Sequence, residues 1–149
     1  MNVPGNLNAI LSHKGSTVWS ISPDATVYQA ILLMAEHNVG ALIILQEGKV
    51  KGIISERDYT RKGILKKKLS QETQVKEIMT DNVVTARSDQ SVEDCLRVMT
   101  DKHIRHLPVL EKGKLIGLVS IGDLVKWVIS AQSAAINQLE SYITGDYSG

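Results

Sequence analysis

Gly117-Leu118-Val119-Ser120-Ile121-Gly122-Asp123-Leu124 repeats, at a distance of 65 residues, the pattern of Gly52-Ile53-Ile54-Ser55-Glu56-Arg57-Asp58-Tyr59. Followed outward without a gap, the correspondence sets residues 18–59 on residues 83–124, and eleven of the 42 aligned pairs are identical. These are Val18/Val83, Asp24/Asp89, Val27/Val92, Met34/Met99, Leu42/Leu107, Leu45/Leu110, Gly48/Gly113, Lys49/Lys114, Gly52/Gly117, Ser55/Ser120 and Asp58/Asp123. About a third of the other 31 pairs exchange one apolar residue for another. Glycines, capping residues and apolar positions that recur in step mark one supersecondary unit built twice, and such units bury their faces against each other. The function is therefore expected between the copies.

A chain of 149 residues is the size of one ordinary domain, whereas a repeat of about 60 residues alone keeps too much surface wet to be more than marginally stable. Two halves of one module are expected. The hydrophobic fraction of 43% is that of a globular protein, and no apolar run approaches the ~18 residues needed to cross a bilayer. Met1-Asn2-Val3-Pro4-Gly5-Asn6 has neither the basic start nor the apolar stretch of a secretory leader, so a cytoplasmic location is expected. Cys95 is the single cysteine, which excludes an internal disulfide and a thiolate-rich metal cluster. It stands where the first copy has Ala30, inside an apolar helical stripe, and reads as core. A net charge of +1 supplies no global field toward nucleic acid or membranes. Anion binding would have to come from local arrangement.

Each copy opens on a short β-branched run, Val18-Trp19-Ser20-Ile21 or Val83-Val84-Thr85-Ala86, and a polar turn carrying Asp24 or Asp89. Val27, Ala30, Ile31 and Met34, matched by Val92, Cys95, Leu96 and Met99, then show the i, i+3, i+4, i+7 spacing of a helix buried on one face. The methionines read as core. Strands are expected over Ala41–Leu45 and Val50–Ile54, and again over Leu107–Leu110 and Leu115–Val119, each pair joined by a Glu-Gly-Lys or Lys-Gly-Lys hairpin turn. Helical spacing returns after Ser55 and Ser120, with Leu124, Val125, Val128 and Ile129 on one face. Each copy is thus β-α-β-β-α. Residues 60–75 connect the copies, and a last helical stretch from about Ser130 to Ile143 carries Ile136, Leu139 and Ile143 on one side, to close the core or to join two subunits.

Taken together, Gly40-Ala41-Leu42-Ile43-Ile44, Val75-Lys76-Glu77-Ile78-Met79-Thr80, Arg105-His106-Leu107-Pro108-Val109 and the two octads resemble the cystathionine-β-synthase (CBS) domain, which occurs in tandem as a Bateman module. The resemblance spans roughly residues 7 to 129, and it is narrower still toward small stand-alone two-repeat proteins with the Ser-Glu-Arg-Asp segment. It implies an α/β (α+β) fold of two pseudo-symmetric β-α-β-β-α repeats packed as one module. The expected division is residues 7–69 for the first repeat with its connecting helix, 75–130 for the second, and 131–149 for a C-terminal helix and tail. It also implies a disc with two clefts, commonly homodimeric, that binds adenosine nucleotides without transforming them. The Asp of each Gly-x-x-Ser-x-x-Asp segment would hold the ribose hydroxyls, and the base would rest on strands of the other repeat.

A carboxylate suits a ribose diol because both oxygens accept charge-assisted hydrogen bonds, and Asp58 and Asp123 are the two candidates. Ser55 and Ser120 lie three residues earlier, where a helix start favours phosphate. The same Ser-x-x-Asp spacing is also an ordinary helix cap, in which both side chains satisfy backbone donors. Recurrence beside a glycine-bearing strand favours the ligand role. The copies differ where a phosphate needs help, since Arg105 and His106 replace Gly40 and Ala41, and an Arg fork matches phosphate oxygens. The better cleft is therefore assigned Arg105, His106, Pro108, Ser120 and Asp123, with the base near Lys14, Ser16, Trp19, Gly40 and Ala41. Trp19 reads equally as core or as a stacking platform. The second cleft is assigned Ser55, Arg57 and Asp58, with the base near Thr80, Val84 and Ile104. Arg61 and Lys62 read as solvated surface.

The regulatory ligand expected is AMP, ATP or NAD(H), sensed as energy or redox state and shifting a conformational or oligomeric equilibrium that an unidentified regulated protein reads. No catalytic cofactor and no membrane partner is expected. The chain lacks a Gly-x-x-x-x-Gly-Lys-Ser/Thr loop, an acidic metal pair and a nucleophile with a base, so an enzyme is not expected. His103 and His106 have no supporting ligand at metal spacing. The alternative function is a nucleic-acid or protein adaptor using the basic 61–68 segment, although nucleic-acid binding is disfavoured because no aromatics interleave Lys66-Lys67-Lys68.

Overall fold

The computed structural model describes residues 3–144, and the chain in it forms two compact units. The first comprises residues 17–85; the second joins the described residues up to Ser16 to those from Ala86 onward. This division departs from the expected one, because the N-terminal segment packs with the second copy instead of the first. The reason is local. Leu7, Ile10 and Leu11 bury an apolar face, while Leu7 N–H donates to the Gln90 carbonyl at 3.1 Å and Val92 N–H to that of Gly5 at 3.2 Å. The expected tail segment also differs: residues 131–144 continue the preceding helix without a break, and 145–149 lie outside the described residues.

In the first unit, β1 (Ser20–Ile21), α2 (Val27–His37), β2 (Ala41–Gln46) and β3 (Lys49–Ser55) succeed one another, α1 (Leu7–Lys14) belonging to the second unit. The sheet has the order β1-β2-β3, with β1 parallel and β3 antiparallel to β2. Thr26 opens α2 through a capping box with Gln29, and Asn38 closes it in the left-handed conformation at φ 52°. Glu47 and Gly48, at φ 53° and 76°, form the hairpin turn; two positive φ values in a two-residue loop match the twist of the strands it joins. After β3 the expected helix lasts one turn, α3 (Glu56–Asp58), and passes into a π turn (Tyr59–Gly63) and a 3-10 turn (Ile64–Lys66). Helix α4 (Val75–Ile78) completes the unit and places Val75 and Ile78 in the core with Val27, Ala30, Met34, Leu42, Ile44 and Ile54.

The second unit repeats this plan with β4 (Ala86–Arg87), α5 (Val92–Lys102), β5 (His106–Glu111) and β6 (Lys114–Ser120). Its sheet order is β4-β5-β6, and the register shift between Val109 and Leu110 copies the one between Ile44 and Leu45. His103 ends α5 in the left-handed conformation at φ 54°, the place Asn38 holds in the first unit. Here the last helix is regular and long: α6 runs from Ile121 to Thr144. Met34, Met99 and Cys95 are buried. Burial, aided by the charge of Asp94, pushes the Cys95 thiol up to about 11, so it stays protonated at neutral pH and packs as an apolar side chain. Among the described residues no helix is long and apolar enough to cross a membrane.

Helix α1 does for the second unit what α4 does for the first. A Cβ on Gly117 would come within 2.6 Å of Leu11 Cδ2, and one on Gly52 within 2.8 Å of both Met79 Sδ and the Thr80 carbonyl oxygen. A glycine in the third strand thus lets α1 in one unit, and the residues just past α4 in the other, lie directly on the sheet. Gly52→Ala is expected to lower stability by about 1–3 kcal/mol, because a main-chain atom must give way. The midpoint of urea unfolding measures this, and an unchanged midpoint would contradict the close approach.

Candidate functional site

Each Ser-x-x-Asp segment stands where a strand ends and a helix begins. In the first unit the Ser55 hydroxyl accepts from Asp58 N–H at 3.1 Å, while Asp58 Oδ2 accepts from Ser55 N–H at 2.9 Å and from the Ser55 hydroxyl at 3.1 Å. In the second, the Ser120 hydroxyl accepts from Asp123 N–H at 3.1 Å and Asp123 Oδ2 from Ser120 N–H at 2.8 Å. The reciprocal cap weighed from the sequence is therefore formed twice. It uses one carboxylate oxygen and fixes where the other points, so cap and ligand roles are compatible.

The second oxygens differ. Asp58 Oδ1 accepts from the Thr80 hydroxyl at 3.1 Å and lies 3.3 Å from Lys62 Nζ, and its side chain is only 12% exposed. Both of its oxygens are spent. Asp123 Oδ2 also takes Lys14 Nζ at 2.7 Å, but Oδ1 accepts no hydrogen bond from the described residues, and the side chain is 25% exposed. One oxygen is open.

The difference arises from how the flanking segments end. Helix α4 stops at Ile78, and Thr80 then pairs with Ile53 as an isolated antiparallel bridge, with Thr80 N–H on the Ile53 carbonyl at 2.9 Å. Helix α1 continues to Lys14, and the ammonium reaches the Leu118 carbonyl at 2.8 Å as well as Asp123. Leu118 is the counterpart of Ile53. One lysine side chain thus does the work that a main-chain N–H and a hydroxyl share at Thr80.

Burial acts to raise the Asp123 pKa, but the Lys14 hydrogen bond, the Ser120 amide, the Lys14 charge and the Ser120 hydroxyl outweigh it and hold the carboxyl below its ordinary value. Asp123 is thus an anion at neutral pH. Around it, the Arg105 carbonyl accepts Ile121 N–H at 2.8 Å, which sets Arg105 at the first turn of α6. Arg105 is exposed and forms no ion pair with the described residues. A Cβ on Gly122 would meet nothing closer than the Ser120 hydroxyl at 3.5 Å, so the first turn is open. His106, half-buried, pairs with Ser120 across β5 and β6, and Pro108 is buried in β5.

The residues singled out from the sequence are shared between the units. Arg105, His106, Pro108, Ser120, Asp123, Lys14, Ser16 and Ile104 belong to the second, and Trp19, Gly40, Ala41, Ser55, Arg57, Asp58, Thr80 and Val84 to the first. Two assignments change. Lys14, expected beside a base, is an ion-pair partner of Asp123; Lys62, expected to be solvated, lies on Asp58, a pairing that its i, i+4 spacing offers. Trp19 stacks on His37 at 3.4 Å with ring planes 8° apart, which covers one indole face. Gly40 offers its carbonyl to Glu56 N–H at 3.1 Å, and Ala41 is buried.

Two matching units, each with its strand-capped carboxylate, agree with the comparison to known proteins, in which the CBS domain matches residues 15–63 and 75–130. The chain belongs to the CBS domain family. The CBS domain-containing protein CBSX3, mitochondrial, of Arabidopsis thaliana is 40% identical over 141 residues, which is 91% of this chain and 68% of that protein. The crystal structure of the CBS domain NE2398 is 46% identical with a TM-score of 0.81, covering 84% of this chain and 98% of that one. The CBS domain pair of protein MJ0100, solved in complex with 5′-methylthioadenosine and S-adenosyl-L-methionine, is 27% identical with a TM-score of 0.73, covering 82% and 94%. The expected mixed fold of two CBS repeats is thus the observed one.

A carboxyl held below its unfolded pKa contributes stability above the ordinary carboxylate range and loses it as pH falls through the folded value. Lys14→Met is expected to cost up to about 1 kcal/mol at neutral pH, as for a partly exposed pair, with the gap to wild type closing below about pH 4. Thermal melts from pH 7 to pH 3 measure this. A gap that stays constant with pH would contradict the ion pair.

Proposed function

We propose that this CBS pair is a regulatory module that binds an adenosine ligand, AMP, ATP or NAD(H), through its second repeat and leaves it chemically unchanged. The observation that carries the reading is the open Oδ1 of an ionised Asp123 at the same helix start as an exposed Arg105 without an ion-pair partner among the described residues. A ribose hydroxyl donates to Oδ1 without breaking the Ser120 cap, and the charge on the acceptor strengthens the bond. Arg105 and the first turn of α6 then face the phosphate, with the helix dipole adding to the guanidinium charge. The adenosine-derived ligands in the MJ0100 complex support the ligand class.

The Asp58 site is read as closed, because a diol there must displace the Thr80 hydroxyl or Lys62. One ligand per chain is expected. The regulatory effect is differential affinity: a ligand shifts an equilibrium only as far as it binds one arrangement better than another. Lys14 is placed to read the event, since it joins α1 to the same carboxylate.

Calorimetric titration of the full chain with AMP, ATP and NADH tests this. One site per chain is expected for at least one of them. Asp123→Asn should weaken it tenfold or more, in line with about 1.5–3 kcal/mol for hydrogen bonds to charged groups, and Asp58→Asn should weaken it less than about threefold on the same scale. Arg105→Met should weaken AMP binding and leave adenosine binding unchanged. Absence of heat with every nucleotide, or loss of binding in Asp58→Asn with retention in Asp123→Asn, would overturn the reading.

A further inference from the structure

Residues 61–69 place five basic side chains in nine positions, and from Tyr59 to Gln71 no acidic residue intervenes. In a chain of net charge +1, positive charge is thus concentrated in one segment of the first unit. Lys62 is drawn to Asp58, and Lys68 lies 3.9 Å from Glu77. Arg61, Lys66 and Lys67 are exposed and have no ion-pair partner among the described residues. The same segment carries apolar side chains in water: Ile64, Leu65 and Leu69 are 53%, 72% and 62% exposed. The backbone builds this exposure in. After the π turn, Lys67 adopts the left-handed conformation at φ 58°, with its N–H on the Ile64 carbonyl at 3.0 Å and the Lys68 N–H on that of Gly63 at 2.9 Å. The Leu69 carbonyl accepts Thr73 N–H at 3.0 Å and the Thr73 hydroxyl at 2.7 Å. The turn is closed by its own hydrogen bonds while three aliphatic side chains stay wet, an arrangement that marks an interaction surface.

Composition selects the partner. Specific protein interfaces favour Tyr, Trp and Arg anchors and are poor in Lys, whereas four of these five cations are Lys. Single-stranded nucleic acid is held on aromatic platforms, and the one aromatic residue of the stretch, Tyr59, packs its ring on Gly63, where an added Cβ would lie 2.9 Å from Tyr59 Cδ1. Lysines interleaved with exposed aliphatic residues match an anionic bilayer surface, which offers diffuse negative charge above an apolar layer. The expectation of no membrane partner rests on the net charge of the whole chain, which averages this segment away. Contact of this kind is peripheral, and among the described residues no helix is long and apolar enough to cross a membrane.

We propose that residues 61–69 form a peripheral docking surface for an anionic lipid bilayer, with Arg61, Lys66 and Lys67 meeting headgroup phosphates and Ile64, Leu65 and Leu69 entering the headgroup layer. The proposal stands independently of nucleotide binding. Co-sedimentation of the full chain with vesicles of equal parts phosphatidylglycerol and phosphatidylcholine tests it. Wild type is expected to bind these vesicles, to be released as salt is raised, and not to bind phosphatidylcholine alone. The triple variant Arg61→Gln, Lys66→Gln, Lys67→Gln should bind at least about tenfold more weakly, and Leu65→Ser with Leu69→Ser several-fold more weakly. Lys112→Gln with Lys114→Gln, a loss of charge in the second unit, should bind as wild type. Every one of these positions is exposed, so each variant should keep the thermal transition of the wild type. No vesicle binding by wild type, equal binding to phosphatidylcholine alone, or undiminished binding by the triple variant would overturn the proposal. So would a changed solution mass in Leu65→Ser with Leu69→Ser, which assigns the aliphatic residues to a second copy, or salt-sensitive retention of duplex DNA in place of vesicles.

Discussion

The bond from a serine amide to a carboxylate three residues later holds both sites. Ser55 to Asp58 and Ser120 to Asp123 each close a cap at the step from strand to helix, at 2.9 and 2.8 Å. This bond satisfies a main-chain donor that a helix start leaves orphaned. It also freezes the rotamer of the acid, so that Oδ1 is delivered to one fixed place. A feature that looks purely structural is thus the device that positions the candidate ligand group.

The groups that meet each fixed carboxylate decide its chemistry. In the first unit the backbone returns as an extended residue, Thr80, whose hydroxyl takes the remaining oxygen, and Lys62 adds its charge. In the second, a longer helix brings Lys14 to the oxygen already used by the cap and leaves Oδ1 without a donor among the described residues. Duplication supplies two equal scaffolds, and a few residues in the flanking segments make one a saturated structural node and the other an open acceptor. Arg105 in place of Gly40 extends the same asymmetry to the anion side.

Much of this was legible in the sequence. The helical spacing of Val27, Ala30, Ile31 and Met34 and the Gly48 and Gly113 turns marked the repeated β-α-β-β order, because periodicity and turn chemistry are local signals. The Ser-x-x-Asp segments and Arg105 were also visible. The illegible features depended on distant partners. Nothing local in Leu7–Lys14 says that it packs on the copy more than 70 positions away, nor that Lys14 meets Asp123, 109 residues on. The one-turn helix at Glu56–Asp58, with its π and 3-10 turns, escaped because the helical face is marked only in the second copy, by Leu124, Val125, Val128 and Ile129, while in the first Gly63 lets the backbone close on the Tyr59 ring.

The central claim, that Asp123 is the open acceptor and Asp58 the closed one, is tested most directly by a high-resolution structure of the chain with AMP bound. A ribose hydroxyl is expected at hydrogen-bond distance, about 2.5–3.0 Å, from Asp123 Oδ1, with the Ser120 cap intact and Thr80 still on Asp58. A ribose held by Asp58 with the Thr80 hydroxyl displaced, and Asp123 untouched, would contradict it.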